Sequence, residues 1–315
     1  MKYAVGIDLG GTTTKFGLFS PDGLLLDKLV KPTRVPLGQK VIFDDIAEGI
    51  CELTAANHAD LSECCFGMGI PGAVDRNGHL NAAVDLHIYD CYPSKEISMR
   101  LGGSPVAVDN DANVAALGEM WQGGGKGYSD LLLITLGTGV GGGIVIDRKI
   151  LRGTHGIAGE IGHISVNPDE PERCNCGGKG CLDQIASATG IVRYAKRFLD
   201  KDPHESLLRN IDPITAKDVV DAARFGDKVA LESLTCCMSF LGKMIAAVSH
   251  VIDPEVVIIG GGVSMGGDFL LDMIIKQYDR YETFQNCRPA FSLAKLYGDA
   301  GIYGAAYLAM NHAAD

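Results

Sequence analysis

YAVGIDLGGTTTKFGLFS (residues 3–20) is the stretch that decides the fold. The apolar run Tyr3–Asp8 predicts a β-strand, a turn of glycine and threonine follows, and Lys15–Ser20 predicts a returning strand. DLLLITLGTGVGGGIVID (residues 130–147) repeats the pattern later in the chain. Either copy alone is also compatible with an ordinary structural hairpin. The repeat predicts a duplicated fold with a ligand between the two copies.

The composition is that of an acidic globular protein. The chain has 315 residues, 46 % hydrophobic and 21 % charged, and its formal net charge is −11. This length is typical of two domains or of one large α/β domain. Nucleic acid is not expected as a partner, because affinity for its phosphate backbone depends on Lys and Arg. We see neither a signal peptide nor an apolar run near the ~20 residues that cross a bilayer, and we therefore expect a cytoplasmic protein with no membrane partner.

Strands and helices alternate along the rest of the chain, which predicts an α/β protein. The predicted strands lie at 65–70, 106–109 and 256–259, and the predicted helices lie at 44–57, 112–122, 186–199, 215–226, 228–251 and 300–310.

Three glycine clusters are candidate nucleotide-binding loops. Backbone N–H groups and hydroxyls in such turns bind phosphate oxygens, and the candidates are Gly10, Gly11, Thr12, Thr13 and Lys15 in the first loop and Gly137, Thr138 and Gly139 in the second. Asp8 is a candidate ligand for Mg²⁺, which prefers oxygen donors, whereas the second copy has Thr135 at this position. The third cluster, Gly260, Gly261 and Gly262, follows a predicted strand and leaves room for the base or ribose of a nucleotide.

The motif Asp109-Asn110-Asp111-Ala112-Asn113 lies where a strand ends and a helix begins. Asp111 is well placed to be the N-cap of that helix, which is the purely structural interpretation. The functional interpretation makes Asp111 a general base, because the carboxyl ends of strands in α/β folds commonly bind ligands. A carboxylate there could accept the proton of a hydroxyl that attacks phosphorus.

His163, Cys174, Cys176 and Cys181 form the strongest single signal in the sequence. Three thiolates and one imidazole are a standard tetrahedral zinc set, and chance clustering is the alternative. Four protein ligands close the coordination sphere, so the ion is expected to brace the segment 156–163. Glu160 and His163 share one face of a helical turn, and the ring nitrogen of His163 that does not bind zinc could bond a substrate hydroxyl. The remaining cysteines are interpreted as small core residues: Cys51, Cys64, Cys65, Cys91, Cys236, Cys237 and Cys287.

With these motifs in this order, the chain resembles the ROK proteins (repressors, open reading frames and kinases) from residue 1 to about 310. The resemblance implies a duplicated actin/hexokinase-like (ribonuclease H-like) fold, with ATP and a sugar in an interdomain cleft. One domain is expected over 1–117 plus 298–315 and the other over 118–297. A homodimer or a dimer of dimers is also implied.

The resemblance further implies a role for individual residues in sugar binding. Asp111 is the expected base, Gly72 lies against the sugar, and Asn110, Glu160 and His163 hold sugar hydroxyls. The segments 110–122 and 185–190 look most like those of bacterial ROK glucokinases. The resemblance therefore implies a reaction that converts glucose to glucose 6-phosphate.

Two departures from the family pattern affect the predicted sugar pocket. Asp183 occupies a sugar-contacting position that is usually Glu, and it is shorter by one methylene. Near Asp85 the pattern expects a pocket Trp, yet the only Trp of the chain is Trp121. Kinases for N-acetylmannosamine, N-acetylglucosamine, fructose, mannose or allose therefore stay open as alternatives.

Two non-enzymatic alternatives are also open. ROK repressors carry an extra N-terminal winged helix-turn-helix, whereas this chain reaches its first phosphate motif at Asp8. A sugar-sensing protein without catalysis is disfavoured by Asp8, Asp111 and both glycine loops.

Overall fold

The computed structural model describes residues 2–284 and 287–312, and in it strands alternate with helices as predicted. The strands are β1 (Tyr3–Leu9), β2 (Thr13–Phe19), β3 (Leu25–Pro32), β4 (Cys64–Ile70), β5 (Leu80–Ala83), β6 (Ile88–Cys91), β7 (Val106–Asn110), β8 (Leu131–Leu136), β9 (Val140–Ile146), β10 (Lys149–Ile150), β11 (Val256–Gly260) and β12 (Ala290–Leu293). The helices are α1 (Gln39–Ala56), α2 (Pro93–Arg100), α3 (Asp111–Gln122), α4 (Asp183–Ala186), α5 (Ala188–Lys201), α6 (Ala216–Arg224), α7 (Lys228–Ile252), α8 (Gly267–Tyr278) and α9 (Ala300–His312).

The first five-stranded sheet has the order β3-β2-β1-β4-β7. β1 pairs antiparallel with β2 and parallel with β4, and β4 pairs parallel with β7. In this register Asp8 lies beside Gly69, and Gly69 lies beside Asp109. Because parallel strands end at the same edge of a sheet, the chain segments that follow Asp8 and Asp109 leave from one edge.

The second five-stranded sheet has the order β10-β9-β8-β11-β12. Counted along the chain within each sheet, both sheets place their strands in the order third, second, first, fourth, fifth. β10 is antiparallel to β9, and β12 is parallel to β11, as the corresponding strands of the first sheet are. The shared order confirms the duplication predicted from the repeated strand–turn–strand pattern.

The chain folds into two compact units. Among the described residues, the first unit lies within Met1–Leu131, Gly143–Gly159 and Lys295–Asp315, and the second lies within Leu132–Gly142 and Glu160–Ala294. The first unit thus includes all of α3, which crosses the domain boundary expected after residue 117.

Glycines allow two helices of the first unit to pack with their backbones in contact. A Cβ atom built on Gly304 of α9 would lie 1.5 Å from the carbonyl oxygen of Val114 in α3, and one built on Gly118 would lie 2.2 Å from the carbonyl oxygen of Ala300. This packing holds α9 against α3, the helix that begins at Asp111.

The long helix α7 corrects the expectation that no apolar run approaches the length needed to cross a bilayer. Within the described residues it is the one helix long and apolar enough to cross a membrane, by length and composition only. Its apolar side chains recur at helical spacing and are buried, among them Leu234, Met238, Leu241 and Ile245. They pack in the second unit, where α7 contacts α5, α6 and α8. This burial is typical of the core helix of a globular unit.

The scattered cysteines follow the prediction only in part. Cys64, Cys65, Cys91 and Cys237 are buried, and Cys236 is intermediate. Cys51 and Cys287 are exposed, so their assignment to the core was wrong. Cys51 lies on the solvent face of the amphipathic helix α1, which the residue type alone does not reveal.

Replacing Gly304 by alanine tests the close packing of α3 and α9. The new methyl group would meet backbone that has no room to move, so we expect a loss of about 1–3 kcal/mol in the free energy of unfolding. Asn311→Ala, at an exposed position of α9, is the control and should change stability by less than ~0.5 kcal/mol. Equal urea midpoints for the two variants would contradict the packing.

Candidate active site

The first glycine loop leaves the sheet after Leu9 and returns at Thr13. The N–H of Gly10 donates to the carbonyl of Thr13 (3.0 Å), which closes the turn. Thr33, on the neighbouring segment, donates its hydroxyl to the carbonyl of Gly10 (2.7 Å) and its N–H to the carbonyl of Thr12 (2.9 Å). Gly11 and Thr12 themselves are exposed. The loop is therefore fixed from behind while its tip is open to a ligand.

The carboxylate of Asp8 is only partly exposed at the root of this loop. Burial raises its pKa, and the positive charge of Lys15 opposes that shift; the Nζ of Lys15 lies 3.6 Å from Oδ2 of Asp8. Gly301 of α9 lies directly behind, since a Cβ there would be 2.6 Å from Cγ of Asp8. A partly desolvated carboxylate gains by binding a cation, and its oxygens are the donors that Mg²⁺ prefers.

The junction between β7 and α3 corrects the predicted cap. Asn110 is the N-cap: its Oδ1 accepts from the N–H groups of Ala112 (2.9 Å) and Asn113 (3.2 Å). Asp111 is the first residue of the helix, is partly exposed, and accepts a hydrogen bond from the N–H of Ala112 (2.9 Å). Two adjacent residues that both favour the cap position explain the error. Since Asn110 performs the capping, that structural role does not by itself explain an aspartate at position 111.

Asp109, just before the cap, was given no role from the sequence. Its side chain is fully buried, and it accepts hydrogen bonds from the N–H of Asn110 (2.8 Å) and from Nδ2 of Asn113 (2.8 Å). It also accepts a hydrogen bond from Nε of Arg152, which makes an ion pair. Arg152 is distant in sequence and lies in no recognisable motif, so the sequence carried no signal for this pair.

Gly72, predicted to lie against the sugar, meets Asn110. It has φ 98°, and a Cβ there would lie 2.3 Å from the carbonyl oxygen of Ala82. Its own carbonyl accepts a hydrogen bond from Nδ2 of Asn110 (3.1 Å). The structure thus joins two of the predicted sugar-binding residues beside Asp111, at the edge of the sheet where β4 and β7 end.

The second glycine loop lies in the second unit and is supported by the segment that contains Asp183. The N–H of Gly137 donates to the carbonyl of Gly139 (2.9 Å), two residues on, whereas in the first loop Gly10 donates to Thr13, three residues on. Asp183, the first residue of α4, accepts a hydrogen bond from the N–H of Val140 through Oδ1 (2.7 Å). Thr138 at the loop tip is exposed. Asp183, which was assigned from the sequence only to the sugar, therefore also holds the second glycine loop.

The third cluster, Gly260 to Gly262, meets the end of β8. Gly261 has φ 81°, and a Cβ on it would lie 2.5 Å from the carbonyl oxygen of Leu136. Gly261 and Gly262 are exposed. The predicted adenosine loop and second phosphate loop therefore start side by side.

The four predicted metal ligands are brought together in the second unit. Their ligand atoms all lie within 4.8 Å of one another. Nδ1 of His163 lies 3.8 Å from Sγ of Cys174, and the Sγ atoms of Cys176 and Cys181 are 3.6 Å apart. A tetrahedral site with Zn–S near ~2.3 Å and Zn–N near ~2.0 Å separates its ligand atoms by roughly 3.5–3.8 Å. The donor set and its spacing both fit a zinc ion.

A short 3₁₀ turn, Ile161–His163, begins directly after Glu160 and ends at His163. Oε2 of Glu160 lies 4.0 Å from Nε2 of His163, and both side chains are nearly half exposed. Nδ1 of His163 therefore faces the cysteines, and Nε2 faces Glu160. Gly162 packs against Val140, so this turn lies next to the second phosphate loop.

Trp121 does not replace the pocket tryptophan that the family pattern expects near Asp85. Its ring packs against Phe19, Tyr303 and Tyr307 in the first unit, with ring centroids 5.7–6.3 Å apart. It is a structural residue of the aromatic cluster between α3 and α9.

Comparison with known proteins agrees with these motifs. The model of the ROK family matches residues 4–312. A glucokinase from Halalkalibacterium halodurans is 41 % identical over 313 residues, which cover 98 % of this chain and 94 % of that protein. The crystal structure of a ROK family glucokinase from Streptomyces griseus in complex with glucose and AMPPNP has a TM-score of 0.77 and 36 % identity, covering 98 % of this chain and 99 % of that one.

A ROK hexokinase from Thermus thermophilus is similar in structure as well, with a TM-score of 0.84 and 30 % identity over 99 % of both chains. These matches span nearly the whole chain and include the glycine loops, the Asp109–Asp111 junction and the cysteine cluster. The chain therefore belongs to the ROK family, and it has the duplicated actin/hexokinase-like fold predicted from its sequence.

Proposed function

We propose that the chain is a glucokinase, which transfers the γ-phosphoryl group of ATP to glucose and forms glucose 6-phosphate. The observation that carries the proposal is the shared sheet edge in the first unit, where Asp8 with its open glycine loop and Asp111 with Gly72 lie two strands apart. Neighbouring strands are about 4.8 Å apart, so β1 and β7 are separated by roughly 10 Å. Curated relatives named glucokinases, 37–41 % identical over nearly the full chain, support the same activity.

Asp111 is the general base of the proposed reaction. Its neighbours Asp109 and Asn110 are buried and hydrogen-bonded inside the protein, and the side chain of Asp111 is partly exposed at the strand end. The carboxylate accepts the proton of the sugar hydroxyl as the oxygen attacks phosphorus. An ordinary carboxylate suffices, because in a loose transition state the proton leaves late.

ATP is bound by the three glycine loops. The exposed tips at Gly11–Thr12 and at Thr138 present N–H groups and hydroxyls to phosphate oxygens, and Gly261–Gly262 accept the adenosine. Asp8 would hold Mg²⁺, which neutralises charge on the phosphates when it is bound. Lys15, within 3.6 Å of Asp8, adds a second positive charge for the transferred group.

The sugar lies against Gly72, with its hydroxyls bound by Asn110, Glu160, His163 and Asp183. His163, Cys174, Cys176 and Cys181 would hold a zinc ion with a structural role, and binding through Nδ1 would fix the imidazole of His163 with its Nε2 left for the sugar. No step of phosphoryl transfer passes through the zinc.

Location and assembly follow from the same identification. All ten cysteines are free, which suits a reducing compartment, and we place the protein in the cytoplasm. We also propose a homodimer or a dimer of dimers, on the family resemblance alone.

Asp111→Asn tests the base directly. Loss of a positioned base should lower kcat by about 10²–10⁴-fold, while the KM for glucose changes only several-fold because the amide keeps the shape of the side chain. Asp147→Asn is the matched control: Asp147 is exposed in the first unit and has φ 50°, a conformation that asparagine tolerates. Steady-state kinetics with Mg-ATP measure both variants, and wild-type turnover in Asp111→Asn would remove Asp111 as the base.

The zinc site is tested by metal analysis of cysteine variants. We expect about one zinc per wild-type chain, and a large loss of zinc together with a lower melting temperature in Cys176→Ser and in Cys181→Ser. Cys51→Ser removes an exposed cysteine outside the cluster and should keep its zinc. Zinc-free wild-type protein with full activity and an unchanged melting temperature would contradict the bracing role.

A further inference from the structure

A pocket lies entirely in the first unit, and none of its lining residues is among those proposed to contact ATP or the sugar. Its volume is about 480 Å³, within the usual range for small-molecule sites. Parts of β7 and α9 and the turn between β9 and β10 contribute to its lining.

The lining of this pocket is strongly basic although the protein is acidic. Among its described lining residues, Asp75 is the one carboxylate and five are cationic: Arg76, Lys95, Arg148, Lys149 and Arg152. The chain as a whole has a net charge of −11. Concentrating positive charge in one concave site attracts anions against the field of the rest of the molecule.

Several of these cations are held in place by specific partners. Arg152 is anchored through Nε to the buried Asp109, and its side chain is 38 % exposed. The Nζ of Lys95 lies 4.1 Å from the centre of the Tyr92 ring. Cations that are ordered before a ligand arrives lose less entropy on binding.

The backbone at Arg148 gives an independent indication. Asp147 and Arg148 form the two-residue turn between β9 and β10, with φ 50° and 61°. Such turns favour Asn-Gly or Asp-Gly, because the left-handed conformation is costly for other residues. Arg148 occupies the turn position that usually holds glycine, and its side chain lines the pocket. A strained backbone of this kind is typical of a functional site.

The remaining lining fits a sugar better than a bare ion. Tyr92 and Tyr307 supply aromatic surface, and Asn77, Ser94 and Asn311 supply neutral hydrogen-bonding groups. Inorganic phosphate alone would fill only a small part of about 480 Å³.

We propose that this pocket binds a phosphate monoester of hexose phosphate size, with the phosphate on the basic side chains and the sugar between the two tyrosines. The site is distinct from the proposed catalytic residues, and its binding is measurable without ATP or turnover, so it does not rest on the proposed function.

The test is titration calorimetry of glucose 6-phosphate, glucose and inorganic phosphate into the full chain, with hydrogen exchange to locate the bound ligand. Glucose 6-phosphate should slow amide exchange in the segments around 146–152 and 307–312, and glucose should not. Arg148→Asn combined with Lys149→Gln should weaken this binding by about tenfold or more, since each lost charge-assisted bond is worth that much. Asparagine tolerates the left-handed backbone at position 148, so the variant should fold.

Lys40→Gln combined with Lys276→Gln is the control, because it removes the same charge from exposed helix positions outside the pocket; it should bind as the wild type does. Equal affinity of the pocket variant and the wild type, or no slowing of exchange at 146–152, would overturn the proposal. Inorganic phosphate binding as tightly as glucose 6-phosphate would overturn the assignment of a sugar phosphate and leave a free-phosphate site.

Discussion

The buried carboxylate of Asp109 is the interaction on which the proposed catalytic junction depends. An unpaired charge at this depth would cost several kcal/mol, and here Arg152, the N–H of Asn110 and the amide of Asn113 all bind it. Because Asn110 caps α3 and Asp111 is the next residue, these contacts fix where the helix begins and where its first carboxylate lies. The ion pair thus acts on Asp111 through the backbone.

The two glycine loops show how a duplicated fold can diverge in its supports. Each is closed by a backbone hydrogen bond from its first glycine, from Gly10 to Thr13 in the first loop and from Gly137 to Gly139 in the second. The first is held by hydroxyl and N–H donors of Thr33, and the second by the carboxylate of Asp183. Only the first copy has an aspartate at the root of the loop. The two copies of the strand–turn–strand pattern therefore have different supports and a different residue at the root of the loop.

Local sequence patterns predicted much of the secondary structure and part of the candidate site. The strands that flank the first loop and most predicted helices agree with the structure within a few residues, because apolar periodicity and glycine boundaries are local signals. The cluster of His163 with three cysteines was predictable for the same reason, since most of its ligands lie within one short loop. The structural alternative for Asp111, the N-cap of α3, was wrong because its neighbour Asn110 has the same preference and takes that position.

The elements and contacts that were missed lack such local signals. β3 is largely exposed and alternates with charged residues, and the glycines of β9 conceal a strand that begins at Val140. The pair of Arg152 with Asp109 and the bond from Val140 to Asp183 join residues that are distant in the chain. Such contacts are fixed by the tertiary fold, so a single sequence does not reveal them.

The most direct test of the central claim is the specificity of the purified protein with Mg-ATP across a panel of hexoses. The account predicts phosphoryl transfer with the highest kcat/KM for glucose and glucose 6-phosphate as the product. Absence of transfer to every hexose would contradict the kinase itself, and a higher kcat/KM for N-acetylmannosamine, N-acetylglucosamine, fructose, mannose or allose would contradict the assignment of glucose.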